Sequence, residues 1–262
     1  MKKINLLYFS PTETTEKVVS AIGQAIGTIH HTYNITLPQS RKEIIEFGPD
    51  DIVIIGAPVY SGRVVSVAMD YFKKVKGNGT LGIFISVYGN RAYEDALLEL
   101  KETLESQGFK GLAAGAFIGE HSYTDKVAGG RPDAQDLNLA KAFGTKISEL
   151  LKWEANQTNS YELNVKGNHP YKPGMASAPP AGPKTEDTCT ECGICAEFCP
   201  TGSIDFERFR YIEGSNCIKC CSCVKKCPEN AKYFDIPQVL DFKDMLEKNL
   251  SNVRNEPEMF LP

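Results

Sequence analysis

Ile4-Asn5-Leu6-Leu7-Tyr8-Phe9 runs straight into Ser10-Pro11-Thr12-Glu13-Thr14-Thr15 and then into Glu16-Lys17-Val18-Val19. A short apolar run ending at Ser-Pro reads as a buried strand, and the amphipathic stretch from Thr15 to Gly27 reads as a helix. Between them lies a turn rich in hydroxyl groups. Hydroxyls and backbone N–H groups at a helix N-terminus form an anion site favoured by the helix dipole. The same composition also makes an ordinary helix cap. Ser10, Thr12, Glu13, Thr14 and Thr15 are the first candidate binding residues.

The strand-then-helix pattern continues to about residue 155. Further strands are expected at Thr32–Leu37, Ile52–Ala57, Leu81–Val87 and Leu112–Ile118, and further helices near Val65–Lys76, Tyr93–Gln107 and Leu137–Trp153. Alternation of this kind gives a parallel sheet with crossover helices. In a doubly wound sheet of order 2-1-3-4-5, ligands bind beyond the carboxyl ends of the strands, where the order reverses. Two more loops would lie there. One carries Pro58, Val59, Tyr60, Ser61 and Gly62, and the other Tyr88, Gly89, Asn90, Arg91 and Tyr93. After the fifth strand, Glu120-His121-Ser122-Tyr123 opens a long loop, and loops of that length are often functional. His121 is a candidate proton carrier, with a structural histidine as the alternative. No Gly-x-Gly-x-x-Gly follows a strand, so no nicotinamide dinucleotide site is indicated.

Across residues 3–152 the sequence resembles the flavodoxin family, with Ser10 to Thr15 matching its phosphate loop. The resemblance implies FMN, with Tyr60 and either Tyr88 or Tyr93 over the ring faces. It also implies that the Ser61-Gly62 peptide sits by flavin N5; the positive charge of nearby Arg63 would then favour an anionic reduced flavin. Glu13 departs from the pattern, since flavodoxins usually have glycine there; its carboxylate is expected to point to solvent.

The second half carries all nine cysteines, between positions 189 and 227. Cys189-x2-Cys192-x2-Cys195-x3-Cys199-Pro200 is repeated 28 residues later as Cys217-x2-Cys220-x2-Cys223-x3-Cys227-Pro228. Two-residue gaps let three thiolates wrap one face of a cubane cluster. Structural zinc also uses Cys-x2-Cys pairs, but triads followed by Cys-Pro, present twice at a fixed period, favour 4Fe-4S clusters. Cys221 is left over and reads as a small apolar filler. Residues 185–236 resemble two-cluster bacterial ferredoxins, in which the last Cys of each run ligates the other cluster. The resemblance implies one cluster on Cys189, Cys192, Cys195 and Cys227, and a second on Cys217, Cys220, Cys223 and Cys199.

These readings divide the chain into a domain at 1–155, a linker at 156–184 containing Pro170, Pro173, Pro179, Pro180 and Pro183, the cysteine module, and a C-terminal helix and tail at 237–262. The expected fold is an α/β flavodoxin-like doubly wound sheet followed by a small α+β ferredoxin-like domain. A composition of 42% hydrophobic and 24% charged residues excludes neither half from folding. The net charge of −4 is spread over both halves, which argues against a nucleic-acid binder. The apolar run after Lys2 and Lys3 is shorter than the roughly 7 to 15 residues of a secretory signal, and a cytoplasmic location without membrane contact is expected. The combination resembles the flavodoxin–ferredoxin fusion proteins of anaerobic microbes. It implies electron relay between FMN and two clusters, with redox partner proteins as donor and acceptor and a homodimer as a possible arrangement. A flavin-dependent reductase using His121, or a redox sensor, are the alternatives.

Overall fold

The computed structural model describes residues 2–154, 162–174 and 180–262. Strands β1 (Lys3–Tyr8), β2 (Ile29–Asn34), β3 (Asp51–Tyr60), β5 (Leu81–Tyr88) and β6 (Lys110–Ile118) form a parallel sheet in the order β2-β1-β3-β5-β6. This is the expected 2-1-3-4-5 order. A two-residue strand β4 (Arg63–Val64) folds back on β3 as a tight hairpin.

The inner strands β1, β3, β5 and β6 bury both of their faces, as parallel strands covered by helices do. Successive residues alternate between two cores. Leu7, Val53, Ile55 and Phe84 pack on α2 (Ser66–Phe72) and α3 (Ala96–Ser106) through Phe72, Leu97 and Leu100. Leu6, Ile52, Ile54 and Ile83 pack on α1 (Thr14–Ile26) and α4 (Ala134–Glu154) through Val19, Ile22 and Phe143. β2 begins three residues earlier than its expected position. It is the edge strand, largely exposed at His30, His31 and Thr32, so its own apolar pattern is weak; Ile35 lies beyond it in the core.

The segment expected as a linker lies partly at 156–161 and 175–179, outside the described residues. Over 162–174 it is a strap along α3. Leu163 is buried in the core, and the Asp95 carboxylate accepts the backbone N–H groups of Asn168 (2.8 Å) and Lys172 (2.6 Å). Glu102 takes His169 and Tyr171.

The cysteine module is built from a small antiparallel pair, β7 (Lys184–Thr185) and β8 (Lys232–Tyr233), with single-turn helices α5 (Ile194–Glu197) and α6 (Ser222–Lys225). It rests on the sheet domain through Lys225 to Glu120, Lys226 to Glu13, and the Arg41 guanidinium donating to the Pro200 carbonyl at 2.6 Å. Beyond it, α7 (Pro237–Leu250) starts with proline at its first position, where no N–H is missed. This helix docks back on the sheet domain, with Glu247 held by Thr124 and Lys126.

The chain then adds an element absent from the sequence reading. β9 (Glu258–Phe260) pairs antiparallel with β6 and extends the parallel sheet. The tail leading to it is fixed by Asn90, whose side chain bonds Val253 and Asn255, and by the buried Arg131–Asp136 pair, which also engages Asn255 and Arg254.

Candidate functional site: one cavity shared by two modules

A cavity of about 600 Å³ opens beyond the carboxyl ends of β1, β3, β5 and β6, where ligands of doubly wound sheets bind. Its size suits a cofactor. Thr12 and Thr14 line it from the first loop, Pro58 to Gly62 from the second, and Tyr88, Gly89 and Arg91 from the third. All three loops therefore converge as the sequence implied.

The first loop is shaped for an anion. Ser10 Oγ accepts the Glu16 N–H at 3.0 Å, and Thr36 Oγ1 accepts the Ser10 N–H at 2.8 Å, fixing the turn into α1. Thr15 is fully buried and its hydroxyl has no partner. It lies one residue behind Thr14 of the cavity wall, and an unpartnered hydroxyl at a helix N-terminus fits a phosphate-binding turn. Glu13 stands in the left-handed region (φ 65°), which explains why glycine is usual at this position. Its carboxylate turns from the loop to Lys226, which holds its pKa below the usual carboxylate range.

The second loop is a two-residue turn with Ser61 (φ 54°) and Gly62 (φ 82°) both left-handed. A Cβ on Gly62 would collide with the Glu94 carboxylate, so glycine is required for space as well as for φ. Arg63 does not line the cavity. Its guanidinium is paired bidentately with Glu99, donates to the Lys172 carbonyl at 2.9 Å and lies 4.8 Å from the Tyr171 ring centre.

Tyr60 and Tyr88 supply aromatic walls. Burial pushes the Tyr88 phenol up to about 12, with Glu258 adding to the effect. Tyr93 packs on Tyr88 and donates to Glu258 at 3.0 Å, facing the tail rather than the cavity. The Asn90 side chain is likewise turned into the tail.

His121 lines the cavity, backed by Gly89, whose missing side chain leaves room for the imidazole. Its Nδ1 accepts the Tyr123 N–H at 3.2 Å, which leaves the proton on Nε2. Burial pushes its pKa down to about 4, and Lys225 and Arg91 add to the shift. It is a neutral imidazole at neutral pH.

Sequence reasoning missed the other half of the wall. Tyr123, Lys172, Ile218, Lys219, Val239 and Phe242 come from the long loop, the strap, the second cysteine run and α7. Only tertiary contact brings them here. Tyr60 and Tyr123 both have phenols raised by burial first and then by thiols of the second run, Cys220 and Cys221 among them. The cavity thus abuts that run directly.

The thiols sort into two sets. Cys199, Cys217, Cys220 and Cys223, with Cys221 beside them, line one small, nearly apolar cavity, and Cys189, Cys192, Cys195 and Cys227 line another. These are the crossed sets implied by the ferredoxin resemblance. The two sites are built alike: the Ser203 N–H lies 3.2 Å from Cys199 Sγ, and the Ala231 N–H 3.2 Å from Cys227 Sγ. Lys232, buried and donating to Thr185 Oγ1 at 2.7 Å, stands beside Cys195 and Cys223, one from each set. No group of three or more His, Cys, Asp or Glu side chains that could hold a metal ion is found among the described residues. Four thiols spaced around a void instead fit a multi-iron cluster, whose irons each take one cysteine. Burial pushes Cys220 up to about 12, so a thiolate there needs the positive charge of bound iron. Cys221 is the buried fifth cysteine beside the second set. It holds φ 61°, and the equivalent position of the first run is Gly193 at φ 80°.

Among the described residues no helix is long and apolar enough to cross a membrane. Residues 183–228 match the family model of the 4Fe-4S dicluster domain, and the module is an iron–sulfur module. No curated protein matches the chain. Solved structures similar to it include a flavodoxin from the domain Archaea, at 17% identity over 57% of this chain and 99% of that one, with a TM-score of 0.40. A Fusobacterium nucleatum flavodoxin bound to flavin mononucleotide is 16% identical over 59% and 99%, with a TM-score of 0.38. Rubredoxin oxygen:oxidoreductase from Desulfovibrio gigas is 17% identical over 60% of this chain and 38% of that one, with a TM-score of 0.42.

Proposed function

We propose that the chain is an electron-transfer iron–sulfur flavoprotein holding FMN in the large cavity and two 4Fe-4S clusters on the crossed cysteine sets. The observation that supports this most is the shared wall: Ile218 and Lys219, inside the second cysteine run, line the same cavity as Thr12, Thr14 and Tyr88. FMN exchanges electrons singly or in pairs, whereas each cluster exchanges one at a time. Thr12, Thr14 and Thr15 would hold the phosphate, and Tyr60 and Tyr88 the ring. The loop from Cys217 to Cys220 is the short connection between flavin and iron. Cys192 is exposed while Cys220 and Cys223 are buried, so the first set is the face for a redox partner protein and the second is the inner one.

A second reading, reduction of a small molecule in the same cavity, is favoured by His121, with Nε2–H free of the Tyr123 contact, and by Tyr123 and Phe242, which a simple carrier does not need. Anaerobic purification followed by iron, sulfide and flavin assays tests both readings. About eight irons, eight sulfides and one FMN per chain are expected; zinc in place of iron, or a chain that takes up no FMN, would overturn them. Reoxidation by a protein partner alone supports the carrier, and substrate-dependent reoxidation lost in His121→Ala supports the reductase.

A further inference from the structure

Lys219 stands out among the cavity cations. It is 7% exposed, and its ammonium makes no hydrogen bond or ion pair among the described residues. The other two cationic residues of the wall, Arg91 and Lys172, both bind Glu94. On the neighbouring α6 turn, Lys225 binds Glu120, and Lys226 just beyond it binds Glu13. Buried Lys232 donates to Thr185 and Phe209. The side chain is buried but its ammonium is not fully enclosed, and the residue forms part of the cavity wall; a cation held there without an anion is placed for a partner that enters the cavity.

The duplication of the module shows that the placement is specific. The residue two positions after the first cysteine is left-handed in both runs, Glu191 at φ 57° and Lys219 at φ 55°. The backbone is the same and the charge is reversed. Glu191 is exposed beside the first set, whereas Lys219 is buried between the second set and the cavity. Its field falls on Cys217 on one side. It shares the cavity wall with Tyr60, Tyr123 and Phe242 of α7, and both tyrosines lie close enough to the thiols flanking Lys219 to feel them.

We infer that Lys219 is the charge partner of the flavin ring and couples it electrostatically to the second cluster. This rests on FMN occupying the cavity as proposed above. A fixed positive charge there favours the extra electron on either neighbour, so reduced flavin is held more tightly than oxidised flavin by a factor that depends on Lys219.

Redox titration of the anaerobic holoprotein tests it, with flavin and iron contents measured on the same samples. Lys219→Met should keep both cofactors and lower the reduced-to-oxidised affinity ratio about tenfold or more, equivalent to a fall of about 59 mV for a one-electron couple. Lys219→Arg should restore the ratio. Lys219→Glu, the residue of the first run, should lower it further. Lys248→Met, on the exposed end of α7, applies the same net charge change and should leave the ratio unaltered. If Lys219→Met loses iron, Lys219→Gln is titrated in its place. A wild-type chain that binds iron but no FMN overturns the proposed function together with this inference. An FMN-loaded chain whose ratio moves no more in Lys219→Met or Lys219→Gln than in Lys248→Met overturns the inference alone.

Discussion

Lys226 of the cysteine module reaches across to Glu13 in the loop that opens α1. The one acidic residue in a loop otherwise suited to phosphate is therefore neutralised by a cation from the other module, and the cysteine module helps shape the proposed flavin site.

That relationship has a measurable outcome. Lys226→Met should weaken FMN binding to the chain about threefold to tenfold at low salt, because the unpaired Glu13 carboxylate then faces the phosphate; the loss should shrink at high salt. The double change with Glu13→Gln should recover the affinity. Fluorescence titration of the flavin-free protein reads all three, and non-recovery in the double variant would show that Lys226 acts otherwise.

The crossed cysteine sets predict asymmetric damage. Cys199→Ser should impair the set containing Cys217, Cys220 and Cys223, the inner one beside the cavity, although Cys199 belongs to the first run. Cys227→Ser should impair the outer set. Iron analysis with electron paramagnetic resonance separates the two. Cys221→Ala should retain all the iron and cost roughly 1–2 kcal/mol, from the packing lost with its buried sulfur, since alanine keeps the Cβ and with it the left-handed strain.

Gly62→Ala should destabilise the fold by about 1–3 kcal/mol, since alanine is strained at positive φ and its methyl displaces Glu94 from Arg91 and Lys172. Denaturant unfolding measures the loss. Adding Glu94→Ala should recover the steric part only.

His121 gives stability a pH dependence of known sign. The folded chain keeps it neutral down to about pH 4, whereas the unfolded chain protonates it near the ordinary value of about 6.5. Protons thus favour the unfolded chain between those values, and stability should fall as pH drops from 6.5 towards 5, by up to about 1.4 kcal/mol per pH unit. His121→Gln should flatten that slope in urea melts across the window. An unchanged slope would place the histidine in contact with solvent.

The parts legible in the sequence were those written in local pattern. Apolar runs such as Ile52–Ala57 mark strands buried on both faces, and the threonine loop, the tyrosine loops and the cysteine spacing each lie within a dozen residues. β2 was misplaced because an edge strand needs few apolar residues. β9 was missed because three residues pairing with β6 leave no periodic trace. Asn90 and Tyr93 sit in a loop of the right place, but their side chains answer to Asn255 and Glu258, more than 160 residues away. Lys219 is hidden for the same reason. In the sequence it is one lysine inside a cysteine run, and only the docking of the module turns it into a cavity wall.

The pairing of β9 with β6 changes what kind of object the iron–sulfur unit is. The chain leaves the sheet domain after α4, builds the cysteine module, and returns to finish the same sheet. The module is an insertion moored at both ends, and it cannot swing on a single tether as an appended domain would. The separation between the cysteine sets and the large cavity is then set by the sheet itself. The outer edge of the sheet is thus completed by residues that follow the whole module in sequence.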